Sequence, residues 1–136
     1  MRFVLDTNVV SEPGRPRPSA AVLRWLAGVP VRDTALSVMT IGELRKGAEQ
    51  LRPRNASRAA DLDVWIAETV AKFGDRIIAV DTAVAQMWGQ LEAVEPRPKV
   101  DGVIGATALV HGLTVATRNT RDFERMGVET YNPFED

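Results

Sequence analysis

Short apolar runs alternate along this chain with longer segments in which apolar residues recur every three or four positions. The short runs predict buried β-strands, and the longer segments predict helices that bury one face. The predicted strands cover residues 2–5, 34–38, 77–80, 113–116 and 128–131. The predicted helices cover residues 20–26, 41–51, 56–73, 102–110 and 120–125, with a further helix running from Asp81 to just before Pro96. Because strands alternate with helices, the pattern predicts an α/β sandwich in which helices cover both faces of a short, mostly parallel sheet.

Residues at the segment boundaries support these limits. Ser19 is a suitable N-cap for the first helix, Asn55 precedes the long helix, and Gly74 follows it. Residues 13–18 hold three prolines and predict an exposed loop after the first strand.

Composition restricts the class of protein. The 136 residues, 45% hydrophobic and 26% charged, fit one globular domain covering residues 1–136. No apolar stretch approaches the ~20 residues that a bilayer span needs, and no basic segment followed by an apolar one begins the chain. We therefore expect a cytoplasmic protein with no membrane partner. The absence of cysteine excludes disulfides, zinc–thiolate sites and thiol nucleophiles.

The charge balance restricts the possible partners. A formal net charge of -1 means that a nucleic-acid partner requires a local basic face. The one histidine, His111, precedes Gly112 at an expected helix end, where a protonated imidazole is favourable. A single histidine excludes histidine-pair nuclease mechanisms and histidine-rich metal sites.

Polar residues follow several predicted strands or begin predicted helices, and each has a local structural explanation. Asp6 can end its strand in an Asx turn. Glu43 can complete a capping box with Thr40, and Asp101 can be the N-cap of the helix over residues 102–110. Asn119 and Asp122 can cap the short helix over residues 120–125.

Together, these residues predict a cation site. The carboxyl ends of parallel strands gather ligands at one edge of a sheet, so Asp6, Glu43, Asp101 and the Asn119/Asp122 pair can converge there. Clustered carboxylates repel one another and have raised pKa values, which a divalent cation relieves. Oxygen ligands favour Mg²⁺ or Mn²⁺, and such a site supports hydrolysis of nucleic-acid phosphodiesters.

Four motifs in this order resemble the PIN-domain ribonucleases, most closely the VapC-type toxins of bacterial toxin–antitoxin modules. They are Leu5-Asp6-Thr7-Asn8, Thr40-Ile41-Gly42-Glu43-Leu44, Asp101-Gly102-Val103-Ile104-Gly105-Ala106, and Thr117-Arg118-Asn119 followed by Asp122-Phe123. The resemblance spans nearly the whole chain. It implies a three-layer α/β/α sandwich, an Mg²⁺- or Mn²⁺-dependent endoribonuclease, a homodimer, and a cognate antitoxin whose C-terminal segment occupies the active-site groove.

The same resemblance assigns roles to individual residues. Asp6 and Asp101 match acids that hold the metal, and Glu43 matches an acid that binds it through water or positions the attacking water. Where many members of the family have a fourth acid, this chain has Asn119. Asp122, three residues further on, supplies or replaces that charge. Thr117 and Asn8 would orient ligands from outside the metal's own shell. The implied products carry a 5′-phosphate and a 3′-hydroxyl.

Basic and aromatic residues complete the candidate set. Guanidinium groups match phosphate oxygens, so the expected phosphate contacts near the acids are Arg15, Arg17, Arg45, Lys46, Arg118 and Arg121. The tryptophans lie on helical repeats, which favours core or dimer anchors over base-stacking platforms: Trp25, Trp65 and Trp88.

Two other readings of the acids stay open. A haloacid-dehalogenase-like phosphatase also places an Asp after its first strand, but it needs a second Asp where this chain has Asn8. A receiver-like or degenerate cation-binding regulatory domain would bind a cation without turnover.

Overall fold

The computed structural model, which describes residues 1–135, has a five-stranded sheet at its centre. Every strand pairs in parallel, in the order β3-β2-β1-β4-β5. The strands are β1 Phe3–Leu5, β2 Thr34–Ser37, β3 Ile77–Ile78, β4 Thr114–Ala116 and β5 Thr130–Tyr131. The helices are α1 Thr7–Val10, α2 Ala20–Gly28, α3 Val38–Leu51, α4 Ala56–Phe73, α5 Thr82–Val94, α6 Lys99–His111 and α7 Thr120–Glu124.

Alternate residues of the strands face opposite sides of the sheet and create two cores. Val4 and Val115 belong to a cluster with Ile104 of α6 and Phe123 of α7. Their neighbours along the strands belong to a second cluster with α1, α2 and α4, which comprises Phe3, Leu5, Val9, Val10, Val22, Leu36, Phe73 and Ala116. The predicted three-layer α/β/α sandwich is therefore confirmed, since a strand buried on both faces supplies apolar side chains to both layers.

The order of the strands determines where a ligand can bind. The chain proceeds from β1 outwards through β2 to β3, then returns to the other side of β1 with β4 and β5. The register pairs Leu5 with Ala116, so β1 and β4 end together. In open α/β sheets the crevice at such a reversal, outside the carboxyl ends of the strands, is the usual ligand site.

Several predicted boundaries are confirmed by the capping groups themselves. The Ser19 hydroxyl accepts a hydrogen bond from the N–H of Val22 at 3.3 Å. Asn55 Oδ1 accepts one from the N–H of Arg58 at 3.0 Å, and Gly74, at φ 52°, ends α4 in a conformation that favours glycine. Asp81 Oδ1 accepts one from the N–H of Val84 at 2.9 Å. These local polar contacts were readable from the sequence.

Two predicted helix starts are wrong, and both errors concern candidate acids. Helix α3 begins at Val38 with Ser37 as its N-cap, so Glu43 lies beyond the first turn and does not form a capping box with Thr40. Helix α6 begins at Lys99 after Pro98, which places Asp101 inside the first turn rather than at the N-cap. The capping roles predicted for Glu43 and Asp101 are therefore wrong.

A third cap differs in detail. Asn119 does occupy the N-cap position of α7, but its side chain makes no capping hydrogen bond. Its backbone N–H instead donates to Thr117 Oγ1 at 2.9 Å.

None of the helices within residues 1–135 is both long enough and apolar enough to cross a bilayer.

Small residues of α6 allow the helix to pack closely. A Cβ at Gly102 would lie 3.1 Å from Trp88 Cδ1 on α5, and a Cβ at Gly105 would collide with Met126 Sδ. The first turn of α6, with Asp101, is held against the rest of the fold by this packing.

Candidate active site

Asp6 lies at the end of the central strand and is 4% exposed. Its backbone N–H donates to the carbonyl oxygen of Ala116 at 2.9 Å, which continues the β1–β4 pairing through this residue. Its carboxylate accepts hydrogen bonds from three groups: the N–H of Thr7 at 2.8 Å, Thr117 Oγ1 at 2.7 Å and Asn8 Nδ2 at 3.2 Å. Neighbouring polar groups thus fix both carboxylate oxygens in one orientation.

Thr7 connects Asp6 to Glu43. Its N–H donates to Asp6, and its hydroxyl donates at 2.6 Å to Oε1 of Glu43, which lies on α3. Thr7 was not among the residues selected from the sequence, although it directly follows Asp6 in the first motif. One residue therefore aligns two acids that are far apart in the chain.

The acids influence one another electrostatically. Burial raises the pKa of Asp6, hydrogen bonds from Thr117 and Thr7 lower it, and the charges of Glu43 and Asp122 raise it again. Burial, with the charges of Asp6, Glu43 and Asp122, raises the pKa of Asp101 to about 6. Within residues 1–135 none of these four acids forms an ion pair. The fold therefore concentrates negative charge at this edge, and in the described part of the chain no lysine or arginine forms an ion pair with these acids.

This donor set fits a hydrated divalent cation. Carboxylate oxygens with no nitrogen or sulfur donor among them favour Mg²⁺ or Mn²⁺. In the described part of the chain, no three acidic side chains stand close enough together to coordinate one ion. A hydrated ion needs only one or two direct carboxylates, because water and substrate phosphate complete its octahedron.

The Asn119/Asp122 pair divides between two roles. Asp122 contributes charge, since it raises the pKa values of Asp6 and Asp101. Asn119 contributes its backbone N–H to Thr117, which in turn orients Asp6. The structure therefore brings Asp122, rather than the Asn119 side chain, into electrostatic contact with the other acids.

The candidate phosphate-binding residues fall into four groups. Arg118 and Arg121 line a depression of about 320 Å³ together with Asp122, and the Arg118 guanidinium stacks on Phe134 at 3.9 Å. Arg15 lines a groove that includes Glu43, whereas Arg17 and Lys46 are exposed.

Arg45 is engaged elsewhere. It forms ion pairs with Asp63 at 2.6 Å and Glu49 at 3.1 Å on the outer surface of α3 and α4. Sequence spacing placed it near Glu43 but could not reveal its partner on α4.

Two arginines near the acids were not selected from the sequence. Arg97 and Arg125 line a cavity of about 150 Å³ together with Asp101 and Asp122. Both approach Glu95, Arg97 at 3.7 Å and Arg125 at 3.3 Å. Arg97, whose side chain is 9% exposed, follows Pro96 in a segment whose prolines indicated only the end of a helix.

Known proteins resemble this chain in sequence and in fold. The PIN domain family model matches residues 3–129. Toxin FitB of Neisseria gonorrhoeae is 37% identical over 140 residues, which cover 98% of this chain and 99% of FitB. VapC ribonuclease Y4jK of Sinorhizobium fredii is 34% identical, with 98% of each chain covered.

Solved structures agree with the sequence relatives. FitAcB from Neisseria gonorrhoeae superposes with a TM-score of 0.90 at 36% identity, covering 98% of this chain and 99% of that one. A toxin–antitoxin complex from Klebsiella pneumoniae superposes with a TM-score of 0.69 at 26% identity, covering 98% and 99%. With both the family model and these relatives covering nearly its full length, the chain belongs to the PIN domain family.

Proposed function

We propose that this protein is a divalent-cation-dependent endoribonuclease that acts as the toxin of a toxin–antitoxin pair. One observation carries the proposal: Asp6, Glu43, Asp101 and Asp122 interact electrostatically at the carboxyl edge of β1 and β4, and among residues 1–135 no cation forms an ion pair with them. The ribonuclease and toxin names of the full-length relatives support RNA as the substrate.

Asp6 and Asp101 would hold the cation, which we expect to be Mg²⁺ or Mn²⁺. When bound, such an ion lowers the pKa of water and neutralises charge on a phosphodiester. Thr117, Asn8 and Thr7 keep the Asp6 carboxylate in place by hydrogen bonds of 2.7, 3.2 and 2.8 Å. Groups of this kind typically change metal affinity or activity by about 10–100-fold when they are removed.

Glu43 has a different role. It is exposed and accepts its hydrogen bond from Thr7 through Oε1, which leaves Oε2 available to position an attacking water. Asp122 adds negative charge that acts on Asp6 and Asp101. Arg118 and Arg121 lie beside Asp122 and would bind substrate phosphates, because guanidinium donors match phosphate oxygens. In-line attack by water would leave a 5′-phosphate and a 3′-hydroxyl.

A cognate antitoxin is the expected protein partner. A structural relative was solved as a toxin–antitoxin complex, and an antitoxin segment lying across the acids would block RNA. We expect the toxin to form a homodimer, alone or within a hetero-oligomer with antitoxin, and to act in the cytoplasm, where its RNA substrates are found.

Cleavage of total RNA by antitoxin-free protein tests the function. We expect Mg²⁺ or Mn²⁺ to support cleavage, EDTA to abolish it, and Asp6→Asn and Asp101→Asn to reduce it to background. Asp75→Asn is the matched control, because this exposed acid lies in the turn before β3. If metal-loaded protein binds the cation but cleaves no RNA, the chain is a cation-binding regulatory domain instead.

A further inference from the structure

An open groove of about 550 Å³ lies next to Glu43, between the segment over residues 11–16 and the helices α3 and α4. Leu44, Leu62 and Trp65 form part of its apolar lining. Thr7 and Glu43 line the groove as well, so it is continuous with the acidic site. This volume lies within the range of about 300–1,000 Å³ that is typical of pockets for small ligands.

Charged side chains surround this apolar surface. Arg15, Arg58 and Asp61 all line the groove. Arg58 donates one hydrogen bond to the carbonyl oxygen of Gly14 at 3.2 Å, and Arg15 is 3.9 Å from Glu12. Within residues 1–135, neither Arg58 nor Asp61 belongs to an ion pair, so both keep charge available to a ligand.

We propose that this groove binds one unpaired nucleotide of the RNA substrate, next to the phosphodiester that is cleaved. The base packs against Trp65, Leu44 and Leu62, and the flanking phosphates approach Arg15 and Arg58. Single-stranded nucleic acid is recognised in this way, by aromatic surfaces combined with basic groups along the backbone. Asp61 can accept a hydrogen bond from a base N–H group.

This assignment revises the sequence-based interpretation of one tryptophan. Trp25 packs edge-on against Phe3 at 5.1 Å, as expected of a core residue. Trp65, which is half-buried like Trp25, instead lines both this groove and a second cavity of about 430 Å³. An apolar antitoxin segment is the competing occupant, but the mixed charges of the lining, Arg15 and Arg58 with Glu43 and Asp61, favour a ligand that carries both phosphates and hydrogen-bond donors, as a nucleotide does.

Gly47 provides a direct test, since it lines the groove and a Cβ there would meet no atom within 4 Å. Gly47→Leu therefore adds an apolar side chain to the groove from a position where its Cβ meets no neighbour, and replacing a helical glycine also favours the helix. Gly89→Leu is the matched control, because Gly89 is also an exposed helical glycine with no atom within 4 Å of its Cβ position. Circular dichroism melting verifies that both variants fold.

Binding is measured by fluorescence anisotropy with a labelled single-stranded RNA oligonucleotide in EDTA, which separates binding from cleavage. We expect Gly47→Leu to raise Kd by about tenfold or more, equivalent to about 1.4 kcal/mol, and Gly89→Leu to leave it unchanged. The oligonucleotide should quench tryptophan fluorescence in the unmodified protein and not in Trp65→Phe. Arg58→Gln is a second variant and should reduce both the affinity and its salt dependence.

The outcomes are separable from those of the proposed function, on which this inference rests. RNA binding with Trp65 quenching supports the groove even if no cleavage occurs, and cleavage with no effect of Gly47→Leu or Arg58→Gln overturns the groove alone. Unchanged RNA affinity in Gly47→Leu together with weakened antitoxin binding assigns the groove to the antitoxin.

Discussion

Thr117 donates a 2.7 Å hydrogen bond to Asp6 Oδ2, joining two buried side chains that are 111 residues apart in the sequence. The bond lowers the pKa of Asp6 against the effect of burial. Thr117→Val retains the shape of the side chain and removes the donor, so the pKa of Asp6 should rise. We expect cation-dependent cleavage to fall by about 10–100-fold at neutral pH, with the pH–rate profile moved to higher pH.

Thr107→Val is the control for this change. Thr107 is also buried, but its hydroxyl donates within α6 to the carbonyl oxygen of Val103 at 2.8 Å. Both variants lose a buried hydrogen bond, and only Thr117→Val should move the pH profile. Identical profiles for the two variants would contradict the role assigned to Thr117.

The raised pKa of Asp101 predicts a pH dependence of stability. Its pKa is about 6 in the folded protein, above the value of about 4 in an unfolded chain. The folded state therefore binds the proton more tightly, and stability falls as the pH rises from about 4 through 6. In EDTA, Asp101→Asn should flatten the Tm profile in this window by removing the ionisable group.

Asp75→Asn should retain the Tm profile of the unmodified protein. The same two variants also test the cation. At a concentration of about 100 Kd, a bound ion stabilises the fold by about 2.7 kcal/mol, so Mn²⁺ should raise the Tm of Asp75→Asn and leave that of Asp101→Asn unchanged. A full Mn²⁺ shift in Asp101→Asn would place the ion elsewhere.

The charge at the fourth position should come from Asp122. Because Asp122 raises the pKa values of Asp6 and Asp101, Asp122→Asn should weaken Mn²⁺ binding in calorimetry. Asn119→Ala keeps the backbone N–H that donates to Thr117 and should change Mn²⁺ affinity by less than about threefold. A larger loss in Asn119→Ala than in Asp122→Asn would reverse the assignment.

An ion-pair network connects α3 and the residue that follows it to α4. Asp63 accepts from Arg45 and Arg52, and these hydrogen bonds lower its pKa to about 2. The contribution of Asp63 is therefore present above pH about 4 and is lost as the pH falls through 2. Asp63→Asn should lower Tm at neutral pH in low salt, and the difference should shrink in about 1 M salt. Equal differences at both salt concentrations would show that the network contributes by packing rather than by charge.

The sequence predicted the elements whose signals are local. Helix α4 has the predicted bounds because Asn55 and Gly74 specify its ends through contacts within one turn. The starts of α3 and α6 were misplaced because Thr40 with Glu43, and Asp101 alone, imitate capping signals. In the fold, Glu43 instead receives its hydrogen bond from Thr7, which comes from another strand–helix junction.

The same limit applies to the site, where local sequence signals do not predict contacts between separate helices. The order of acids along the chain predicted an edge where Asp6, Glu43 and Asp101 influence one another, and the electrostatics agree. Spacing could not predict that Arg45 pairs with Asp63 or that Arg97 lies beside Asp101, because both contacts depend on how separate helices pack.

The central claim, a cation held by the acidic edge that supports RNA hydrolysis, is tested most directly by single-turnover cleavage of an end-labelled RNA at increasing Mn²⁺, with analysis of the new termini. We predict cleavage that saturates with Mn²⁺, is absent in Asp101→Asn, and leaves a 5′-phosphate and a 3′-hydroxyl. Cleavage that persists in EDTA and leaves a 2′,3′-cyclic phosphate would contradict the claim, since the RNA's own 2′-hydroxyl would then be the nucleophile.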